Sequence, residues 1–374
     1  MKILHVITSL DVGGAELVLA QLVKSLQNNA IENTVVCLLP AGKVAEQLSE
    51  LNVRVVSLNI TSALGGISGF FKLVSLIKSE KPDVIQSWLY HANFLASVAA
   101  FFTPVKKVVW GIHSNQKVST KRSTSLLIKA GAWLSRFSPK KIVYVAESSK
   151  AVHESLGYNT EPSVVIPNGF NVDLFRPDGL DKQSGRAKLN IPTNKLVIGC
   201  VGRWHPDKGL DIMLQVIADI QLAYADDIFF VFAGRDCTAE NTDFFTLQQK
   251  CPKPEYILAL GECDNVPELL SALDIFCLPS RSEAFPLALG EAMASGLYCI
   301  ATDVGDVRYL TGDLIDYALP DDTQSLKTAI ITALRRPEAE RKEIAEQLHQ
   351  RVNELFSEQK TTLSYIRLYQ QLVS

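Results

Sequence analysis

Two glutamates stand out in the segment SRSEAFPLALGEAMASG, residues 280–296, which consists mostly of small and apolar residues. Glu283 and Glu291 are eight positions apart, and a buried carboxylate is unfavourable unless it is paired or bound to a ligand. If Pro286 is the first helical residue, Glu283 lies in the loop before the helix and Glu291 lies within it. We expect Glu283 to accept hydrogen bonds from sugar hydroxyls and Glu291 to bind a ribose diol.

The main chain at the start of this helix is a second candidate binding element. Amides in the first turn of a helix have no partner within the helix. We therefore expect the N–H groups of Ala284, Phe285 and Leu287 to be free to bind a ligand. A structural alternative is open, in which Glu283 only caps the helix and Glu291 pairs with a lysine.

Two cations follow a predicted strand in the segment GRWHPDKGLDIML, residues 202–214. Arg203 and Lys208 are poorly explained by burial, because an unpaired buried cation is strongly disfavoured. A diphosphate would pair with both, since arginine offers a planar fork and lysine a point charge for a leaving group that gains negative charge. The alternative is a solvated loop in which Arg203 pairs with Asp207.

A Gly-Gly turn in SLDVGGAE, residues 9–16, opens a helix directly after the first predicted strand. Gly13 and Gly14 could therefore present free N–H groups and the positive end of a helix dipole to a phosphate. A tight strand-to-helix turn explains the same residues equally well. The chain contains neither GxGxxG nor GxxxxGK[ST], which argues against a dinucleotide site and a P-loop.

The elements that must position these residues alternate between short β-branched runs, such as KILHVIT, and helical patterns. This alternation predicts an α/β fold with doubly wound parallel sheets. The pattern restarts after the turn-rich connection at 167–179. We predict two domains, residues 1–170 and 171–356, with a C-terminal helix at about 357–374 packing back on the first. Because such sheets bind ligands at the carboxyl ends of their strands, the site is expected in the interdomain cleft.

Composition and charge narrow the class of protein. The chain has 374 residues, 47% of them hydrophobic, which allows two domains with substantial cores. Residues 1–170 carry 17 Lys/Arg against 10 Asp/Glu, or +7, which leaves 20 against 30, or −10, for residues 171–374. Seven scattered cysteines without a CxxC pair favour a reducing compartment. No signal peptide or membrane-spanning run is recognised, so a cytoplasmic protein is predicted.

Five motifs in register resemble the retaining glycosyltransferases of family 4, and they cover nearly the whole chain. The motifs are GGAE at 13–16, HS at 113–114, VIPNGFNVDLFRP at 165–177, VGRWHPDKG at 201–209 and the E-x7-E pair from Glu283 to Glu291. The resemblance implies a GT-B fold of two facing Rossmann-like domains. It also implies sugar transfer from a nucleotide diphosphate sugar, expected to be UDP-linked, with retention of configuration and without a bound metal.

The resemblance further implies roles for individual residues. Arg203, Lys208, Glu283 and His113 form the predicted catalytic set, with His113 near the transferred sugar. The predicted donor-binding residues are Gly13, Gly14, Ala284, Phe285, Pro286, Leu287, Glu291 and Val266, the last in the nucleobase segment 261–266. No metal ligands and no cofactor beyond the nucleotide sugar are predicted, because the chain lacks Asp-x-Asp and two cations would replace the ion.

Two departures from the family pattern put the donor sugar in doubt. Many relatives have glycine at the position of Ala284, and a glutamate is frequent where this chain has Arg308. Two other functions are open at this point. One is a nucleotide-sugar 2-epimerase of the same fold, and the other is a non-catalytic nucleotide-sugar-binding module.

A basic stretch from Pro104 to Ile142 contains nine Lys/Arg and no acidic residue. Within it, residues 122–137 place apolar side chains at helical spacing. These side chains are Leu126, Leu127, Ala130, Trp133, Leu134 and Phe137. Cations beside an apolar face favour a helix that lies in the membrane interface. Each cation contributes roughly 1 kcal/mol to the free energy of binding to anionic lipid. The alternative is an amphipathic helix whose apolar stripe packs inside the domain.

The predicted membrane and acceptor contacts are therefore Lys121, Arg122, Lys129 and Trp133. We expect a peripheral enzyme at the inner face of the plasma membrane that transfers sugar to a glycolipid or polyprenyl-diphosphate-linked acceptor in cell-surface polysaccharide synthesis. Nucleic acid is not an expected partner, because the second half is acidic and no aromatic stacking platform accompanies the lysines.

Overall fold

The computed structural model describes residues 1–115, 122–177, 179, 181–223 and 227–374. These residues form two compact units. Unit 1 consists of Met1–Gly169 together with Glu358–Ser374, and unit 2 consists of Phe170–Ser357.

Unit 1 contains, within its described residues, a seven-stranded sheet of order β3-β2-β1-β4-β5-β6-β7 in which all neighbours are parallel. The strands are β1 (Lys2–Ile7), β2 (Glu32–Cys37), β3 (Arg54–Ser57), β4 (Val84–Trp88), β5 (Val108–Ile112), β6 (Pro139–Tyr144) and β7 (Ser163–Val165). Ile7 is in register with Cys37 on β2 and with Trp88 on β4, so these three strands end together. The central strands are buried on both faces, which explains their continuous apolar runs.

The helices of unit 1 cover both faces of this sheet. They are α1 (Gly14–Asn28), α2 (Lys43–Glu50), α3 (Ala63–Glu80), α4 (Leu89–Phe101), α5 (Arg122–Leu134), α6 (Glu147–Ser155) and the C-terminal α15 (Glu358–Val373). Helices α3, α4 and α5 pack side by side over the face that contains Leu4 and Ile85. Helix α15 packs on the other face, where the Tyr369 hydroxyl donates to Gln86 Oε1 over 3.0 Å.

Unit 2 contains, in the part that the structure describes, a six-stranded parallel sheet of order β10-β9-β8-β11-β12-β13. The strands are β8 (Leu196–Val201), β9 (Ile228–Ala233), β10 (Ile257–Ala259), β11 (Ile275–Leu278), β12 (Tyr298–Thr302) and β13 (Asp316–Ala318). Strand β8 is central, and its Ile198 is in register with Phe230 on β9 and with Ile275 on β11. The carboxyl ends of β8, β11 and β12 therefore lie along one edge.

The helices of unit 2 follow its strands in turn. They are α7 (Lys182–Lys188), α8 (Leu210–Ala223), α9 (Thr242–Gln249), α10 (Val266–Ser271), α11 (Leu287–Ala294), α12 (Val307–Thr311), α13 (Thr323–Arg335) and α14 (Glu338–Leu355). A 3-10 turn, Pro206–Lys208, precedes α8. Helices α8 and α13 pack against each other, and Met213 and Ile330 are fully buried in the core beneath them.

These two sheets confirm the predicted fold class of tandem Rossmann-like domains. Each sheet orders its first six strands as 3-2-1-4-5-6, with one additional strand in unit 1. Strand β13 was not predicted from the sequence, because its three residues at the sheet edge are too few to show a strand pattern.

Candidate active site

The loops after β8, β11 and β12 are joined by main-chain hydrogen bonds within unit 2. The Arg281 N–H donates to the Asp207 carbonyl over 2.7 Å, which ties the loop after β11 to the loop after β8. The Asp306 N–H donates to the Ala284 carbonyl over 3.0 Å, which ties the same loop to the one after β12. Residues that are 74 and 22 positions apart in sequence thus meet at one edge of the sheet.

Two glycines permit this close approach. Gly209 has φ of 61°, and a Cβ on it would lie 2.0 Å from the Pro279 carbonyl oxygen. Gly305 has φ of 55°, and a Cβ on it would lie 2.2 Å from the Glu283 carbonyl oxygen. Any other residue would meet main-chain atoms as well as an unfavourable backbone conformation, so both positions require glycine.

Lys208 and Glu283 form an ion pair at this edge. The Lys208 Nζ lies 2.7 Å from Glu283 Oε1, and the Ser280 hydroxyl donates to the same oxygen over 2.8 Å. Only 29% of the Lys208 side chain and 10% of the Glu283 side chain are exposed. The stem of Lys208 packs against Gly202, where a Cβ would lie 3.6 Å from Lys208 Cδ. Two of the predicted catalytic residues are therefore brought into direct contact.

Arg203 lies directly after Gly202 and is exposed. In the part of the chain that the structure describes, its guanidinium has neither an ion pair nor a side-chain hydrogen bond. The alternative pairing of Arg203 with Asp207 is not observed, because the Asp207 carboxylate lies 3.3 Å from His205 Nδ1. Arg203 is thus a cation at the strand edge that is available to an anionic ligand.

Arg281 holds the loops in place, and the sequence analysis missed it. Its guanidinium donates to both Asp211 carboxylate oxygens over 2.8 Å, to Asp321 over 2.6 Å and to the Pro206 carbonyl over 2.7 Å. The hydrogen bonds that Arg281 donates to Asp211 raise the pKa of Arg281, so the guanidinium stays charged. Burial opposes ionisation of Asp211, yet the bonds from Arg281 leave the pKa of that carboxyl below its usual value. This clamp joins the turn that contains Lys208 to the loop that contains Glu283.

Glu291 lies in the second turn of α11 and is partly buried. Among the described residues its carboxylate has no hydrogen bond or ion pair, so the alternative pairing with a lysine is not observed. Burial raises the pKa of Glu291 to about 7. A partly accessible carboxylate without a partner can accept hydrogen bonds from a ligand such as a diol.

The start of α11 differs by one residue from the prediction. The helix begins at Leu287, and Pro286 is its N-cap with ψ of 116°. The prediction that Pro286 is the first helical residue is wrong, because its extended ψ belongs to the preceding loop. Pro286, Ala284 and Phe285 are buried, Leu287 is half-buried, and the Phe285 ring lies 6.2 Å from the Phe170 ring. These side chains anchor the loop in the core while its main chain remains at the sheet edge.

Val266, the predicted nucleobase contact, begins α10 and is half-buried. The Asn265 side chain caps this short helix by accepting from the Glu268 N–H over 3.2 Å. The loop before it is bonded to the loop after β9, where the Gly234 N–H donates to the Gly261 carbonyl over 2.6 Å. Val266 therefore lies at the same carboxyl edge, on the β9 and β10 side of the sheet.

The Gly-Gly turn of unit 1 carries a carboxylate of its own. Gly13 is the N-cap of α1 and Gly14 its first residue. A Cβ on Gly13 would lie 2.4 Å from Glu16 Oε2, so the Glu16 side chain folds over the turn. A phosphate at this helix start would have to share the turn with that carboxylate, which weakens the predicted anion site at Gly13 and Gly14.

His113 follows β5 in unit 1 and stacks on Trp88, with ring centroids 5.0 Å apart and planes at 27°. Its Nε2 is shielded from solvent and has no hydrogen-bond partner in the described parts of the chain. Burial lowers the pKa of His113 to about 4, so the imidazole is neutral at pH 7. Trp88 is itself fixed, because its Nε1–H donates to His5 Nδ1 over 3.3 Å, and His5 Nε2 lies 3.1 Å from Asn33 Oδ1.

Helix α5 exposes part of the predicted membrane-contact stripe. Trp133 is 65% exposed, Leu126 is similarly exposed, and Lys129 is also at the surface. The helix ends at Leu134, so the exposed Phe137 lies in the turn after it and not on the helix, as the predicted stretch 122–137 required. The alternative, in which the apolar stripe packs inside the domain, is therefore wrong for these side chains. It is correct for Leu134, which is buried. Lys121 and the Arg122 side chain lie outside the described residues. No helix in the described ranges combines the length and the apolarity that crossing a bilayer requires.

Comparison with known families matches both halves of the chain. Residues 12–174 match the model described as Glycosyltransferase Family 4, and residues 181–351 match the model described as Glycosyl transferases group 1. Together they account for most of the sequence.

Individual relatives agree with these models. The chain is 27% identical over 326 residues to the Escherichia coli UDP-Gal:alpha-D-GlcNAc-diphosphoundecaprenol alpha-1,3-galactosyltransferase, which covers 84% of this chain and 83% of the relative. It is 34% identical over 152 residues to the lipopolysaccharide core biosynthesis mannosyltransferase LpsB of Rhizobium meliloti (strain 1021), covering 40% of this chain and 42% of the relative. The crystal structure of Anabaena Alr3699/HepE in complex with UDP and glucose has the same fold, with a TM-score of 0.86, 20% identity and coverage of 99% and 100%.

Proposed function

The chain belongs to the GT-B glycosyltransferases, with a family 4 domain followed by a group 1 domain, and we propose that it transfers a sugar from a uridine diphosphate sugar to a lipid-linked acceptor with retention of configuration. The observation that carries the proposal is the Lys208–Glu283 ion pair at the carboxyl edge of a parallel sheet, with Glu283 in the loop before the helix that contains Glu291, whose carboxylate has no ion pair among the described residues. Uridine as the base is supported by the relative named for UDP-Gal and by the UDP complex of the structural neighbour.

The leaving diphosphate is proposed to bind to the cations at this edge. Lys208 has two N–H groups beyond the one that faces Glu283, and Arg203 adds a planar fork of donors. As the bond between the anomeric carbon and the diphosphate oxygen breaks, the electron pair stays on the diphosphate. Donors fixed in advance near this growing charge lower the barrier, and each one typically raises the rate by a factor of about 10²–10³. In this proposal the two cations supply the charge that a metal ion supplies elsewhere.

The sugar and the ribose are proposed to contact carboxylates and neutral donors. Glu283 accepts from sugar hydroxyls, and the amides of Ala284 and Leu287 at the start of α11 add donors. Glu291 accepts from the ribose diol; burial raises its pKa to about 7, and hydrogen bonds donated by the diol would favour the ionised form. His113 is neutral at pH 7, so its unpartnered Nε2 is suited to one hydrogen bond with a sugar hydroxyl and not to acid catalysis.

Transfer with retention requires the acceptor oxygen to attack from the face that the diphosphate leaves. The new bond joins the acceptor oxygen to the anomeric carbon, and the acceptor proton passes to the departing diphosphate oxygen. No protein nucleophile is assigned to this step. Glu283 serves as a hydrogen-bond acceptor, because its pairing with Lys208 makes it a poor nucleophile.

The acceptor is proposed to be a polyprenyl-diphosphate-linked or other glycolipid, used in cell-surface polysaccharide synthesis at the inner face of the plasma membrane. Support comes from the relative named for a diphosphoundecaprenol substrate and from the relative named for lipopolysaccharide core biosynthesis. The exposed Trp133 and Lys129 on α5 are suited to an anionic membrane surface. Seven free cysteines, six of them buried, fit the cytoplasm.

The test is a turnover assay with purified protein, a panel of UDP sugars and a polyprenyl-diphosphate glycolipid in detergent. We expect UDP release that depends on the acceptor, and a product whose anomeric configuration by NMR equals that of the donor. Inversion would contradict the proposed mechanism. A 2-epimer formed from donor alone, or UDP binding without turnover on any acceptor of this class, would contradict the proposed function.

A further inference from the structure

Helix α3 exposes an apolar stripe that its core packing does not explain. Leu64, Ile67 and Phe71 are 80%, 60% and 65% exposed. Their spacing of three and four places them on one face of the helix. The core side of α3 uses other residues, including the fully buried Leu73 and Ile77. The helix therefore has two apolar faces, of which one has no protein partner among the described residues.

The stripe continues onto the end of α4. Phe101 and Phe102 are 52% and 61% exposed. Phe70 joins the two helices, because its ring lies 5.5 Å from the Phe71 ring and 5.7 Å from the Phe102 ring. We define the α3–α4 patch as Leu64, Ile67, Phe71, Phe101 and Phe102. A continuous apolar patch of this kind on a soluble domain marks a site of interaction.

Charge identifies the partner. Residues 61–79 and 84–107 contain no aspartate or glutamate, and they contain four lysines, at positions 72, 78, 106 and 107. Lys106 Nζ donates to the carbonyls of Ala100 and Phe101 over 2.8 and 3.1 Å, so its ammonium lies beside the exposed phenylalanines. Lys72 is exposed next to Phe71 in the sequence. An apolar patch with cations and without acids is complementary to an anionic lipid surface.

The other face of the same unit lacks this combination. Leu17 on α1 and Leu363 on α15 are exposed there, but Leu17 directly follows Glu16 in the sequence and α15 carries Glu358 in its first turn. The α3–α4 patch is thus a property of one helical layer and not of the whole surface of unit 1.

We propose that the α3–α4 patch binds an anionic lipid bilayer. Helix α4 packs against both α3 and α5, so the patch and the exposed stripe of α5 belong to the same layer of unit 1. Contacts on both sides of α4 fix the orientation of this layer on the membrane, whereas a single helix leaves it free to roll. The role of this contact, which is to bring the enzyme to its acceptor, rests on the proposed lipid-linked acceptor. The membrane contact itself does not depend on that proposal.

The test is co-sedimentation of the full chain with vesicles of phosphatidylcholine containing about one third phosphatidylglycerol. Removing two exposed apolar side chains from the contact, in the Ile67→Ser/Phe71→Ser variant, should reduce the partition coefficient by about tenfold or more. Leu363→Ser on α15 is the matched control and should bind like the wild type. Because all three residues are at the surface, the melting temperatures of the variants should stay close to that of the wild type.

Three results would overturn the inference. The clearest is equal vesicle binding by the double variant and the wild type. The second is absence of wild-type binding to the vesicles at low salt. The third is a wild-type dimer by light scattering that the double variant converts to monomer, since a second copy would then cover the patch. UDP binding measured on the same samples separates this inference from the proposed function, because UDP binding without vesicle binding removes only the membrane contact.

Discussion

The two units share a sheet order but differ in the residues at the carboxyl ends of their strands. In unit 2 this edge carries charged groups, the Lys208–Glu283 pair and the Arg281–Asp211 pair, at distances of 2.7 and 2.8 Å. In unit 1 the corresponding edge carries His113 stacked on Trp88 and, at the Gly13–Gly14 turn, the carboxylate of Glu16, and it lacks a pair of cations like Lys208 and Arg203 among the residues named above. The same fold therefore presents two different chemistries, one suited to an anionic leaving group and one to neutral hydroxyls.

Burial shifts the pKa values of titratable groups at the two edges in opposite directions. It raises the pKa of Glu291 in unit 2 to about 7 and lowers the pKa of His113 in unit 1 to about 4. In both cases the neutral form is favoured in the absence of ligand. In unit 2 hydrogen bonds from ligand hydroxyls can stabilise the ionised form of Glu291, whereas the described surroundings of His113 are aromatic and neutral. The comparison predicts that charge changes in unit 2 affect donor binding and that changes in unit 1 leave it intact.

The largest effect is expected from Lys208→Ala. Removing this ammonium should lower kcat/KM by about 10²- to 10³-fold, because a donor to the leaving diphosphate is lost. Lys327→Ala is the matched control, since Lys327 is 28% exposed and pairs with Asp219 over 2.9 Å in the same unit. Steady-state kinetics with saturating acceptor measures the effect. If the two variants have the same kcat/KM, the proposal that the unit 2 edge binds the diphosphate is wrong.

Glu291→Gln should change the pH dependence of stability. The folded-state pKa of about 7 lies above the ordinary value of 4.5 for a glutamate, so the wild type loses stability as pH rises between these values. Glutamine does not titrate, and the variant should be more stable than the wild type by about 2 kcal/mol at pH 8, with the difference shrinking toward pH 5. Urea unfolding across this range measures it. Glu46→Gln, at an exposed position of α2 in unit 1, is the matched control. A difference between Glu291→Gln and the wild type that does not change with pH would contradict the assignment.

Arg281→Met tests the clamp between the two loops of unit 2. We expect kcat/KM to fall by about tenfold through weaker donor binding, because Lys208 and Glu283 lose their alignment. Arg336→Met is the control, since Arg336 is similarly exposed and also bonds to two carboxylates. If both variants lose stability but neither changes the KM for donor, Arg281 is a structural residue only.

The smallest effect is expected from Trp88→Phe in unit 1. Phenylalanine keeps an apolar ring beneath His113 but loses the hydrogen bond to His5, at a cost of about 1 kcal/mol in unfolding free energy. Sugar transfer should slow a few-fold while UDP affinity stays unchanged, as calorimetry would measure. A loss of UDP affinity in this variant would contradict the prediction that changes in unit 1 leave donor binding intact.

The sequence predicted the fold class, and it assigned Lys208 and Glu283 to one site without predicting the ion pair between them. Parallel strands end at one edge, so residues just after two neighbouring strands lie close together even when they are far apart in sequence. Arg281 was not predicted as a clamp, because its partners Asp211 and Asp321 lie 70 and 40 residues away and no spacing rule relates them. The assignment of roles to these residues stays a prediction.

Other features depended on packing that a sequence pattern does not report. A helical stripe has the same spacing whether it faces a core or solvent, which is why Leu134 and Trp133 on α5 had to be separated by the structure. The exposed stripe of α3 was missed for the same reason. His5 gave no signal, since its partner Trp88 is 83 residues away on the neighbouring strand.

The most direct test of the central claim is a crystal structure with uridine diphosphate bound. The account predicts phosphate oxygens within hydrogen-bond distance of Lys208 Nζ and the Arg203 guanidinium, and ribose hydroxyls on the Glu291 carboxylate. A diphosphate bound at Gly13 and Gly14 in unit 1, with Lys208 still paired only to Glu283, would contradict it.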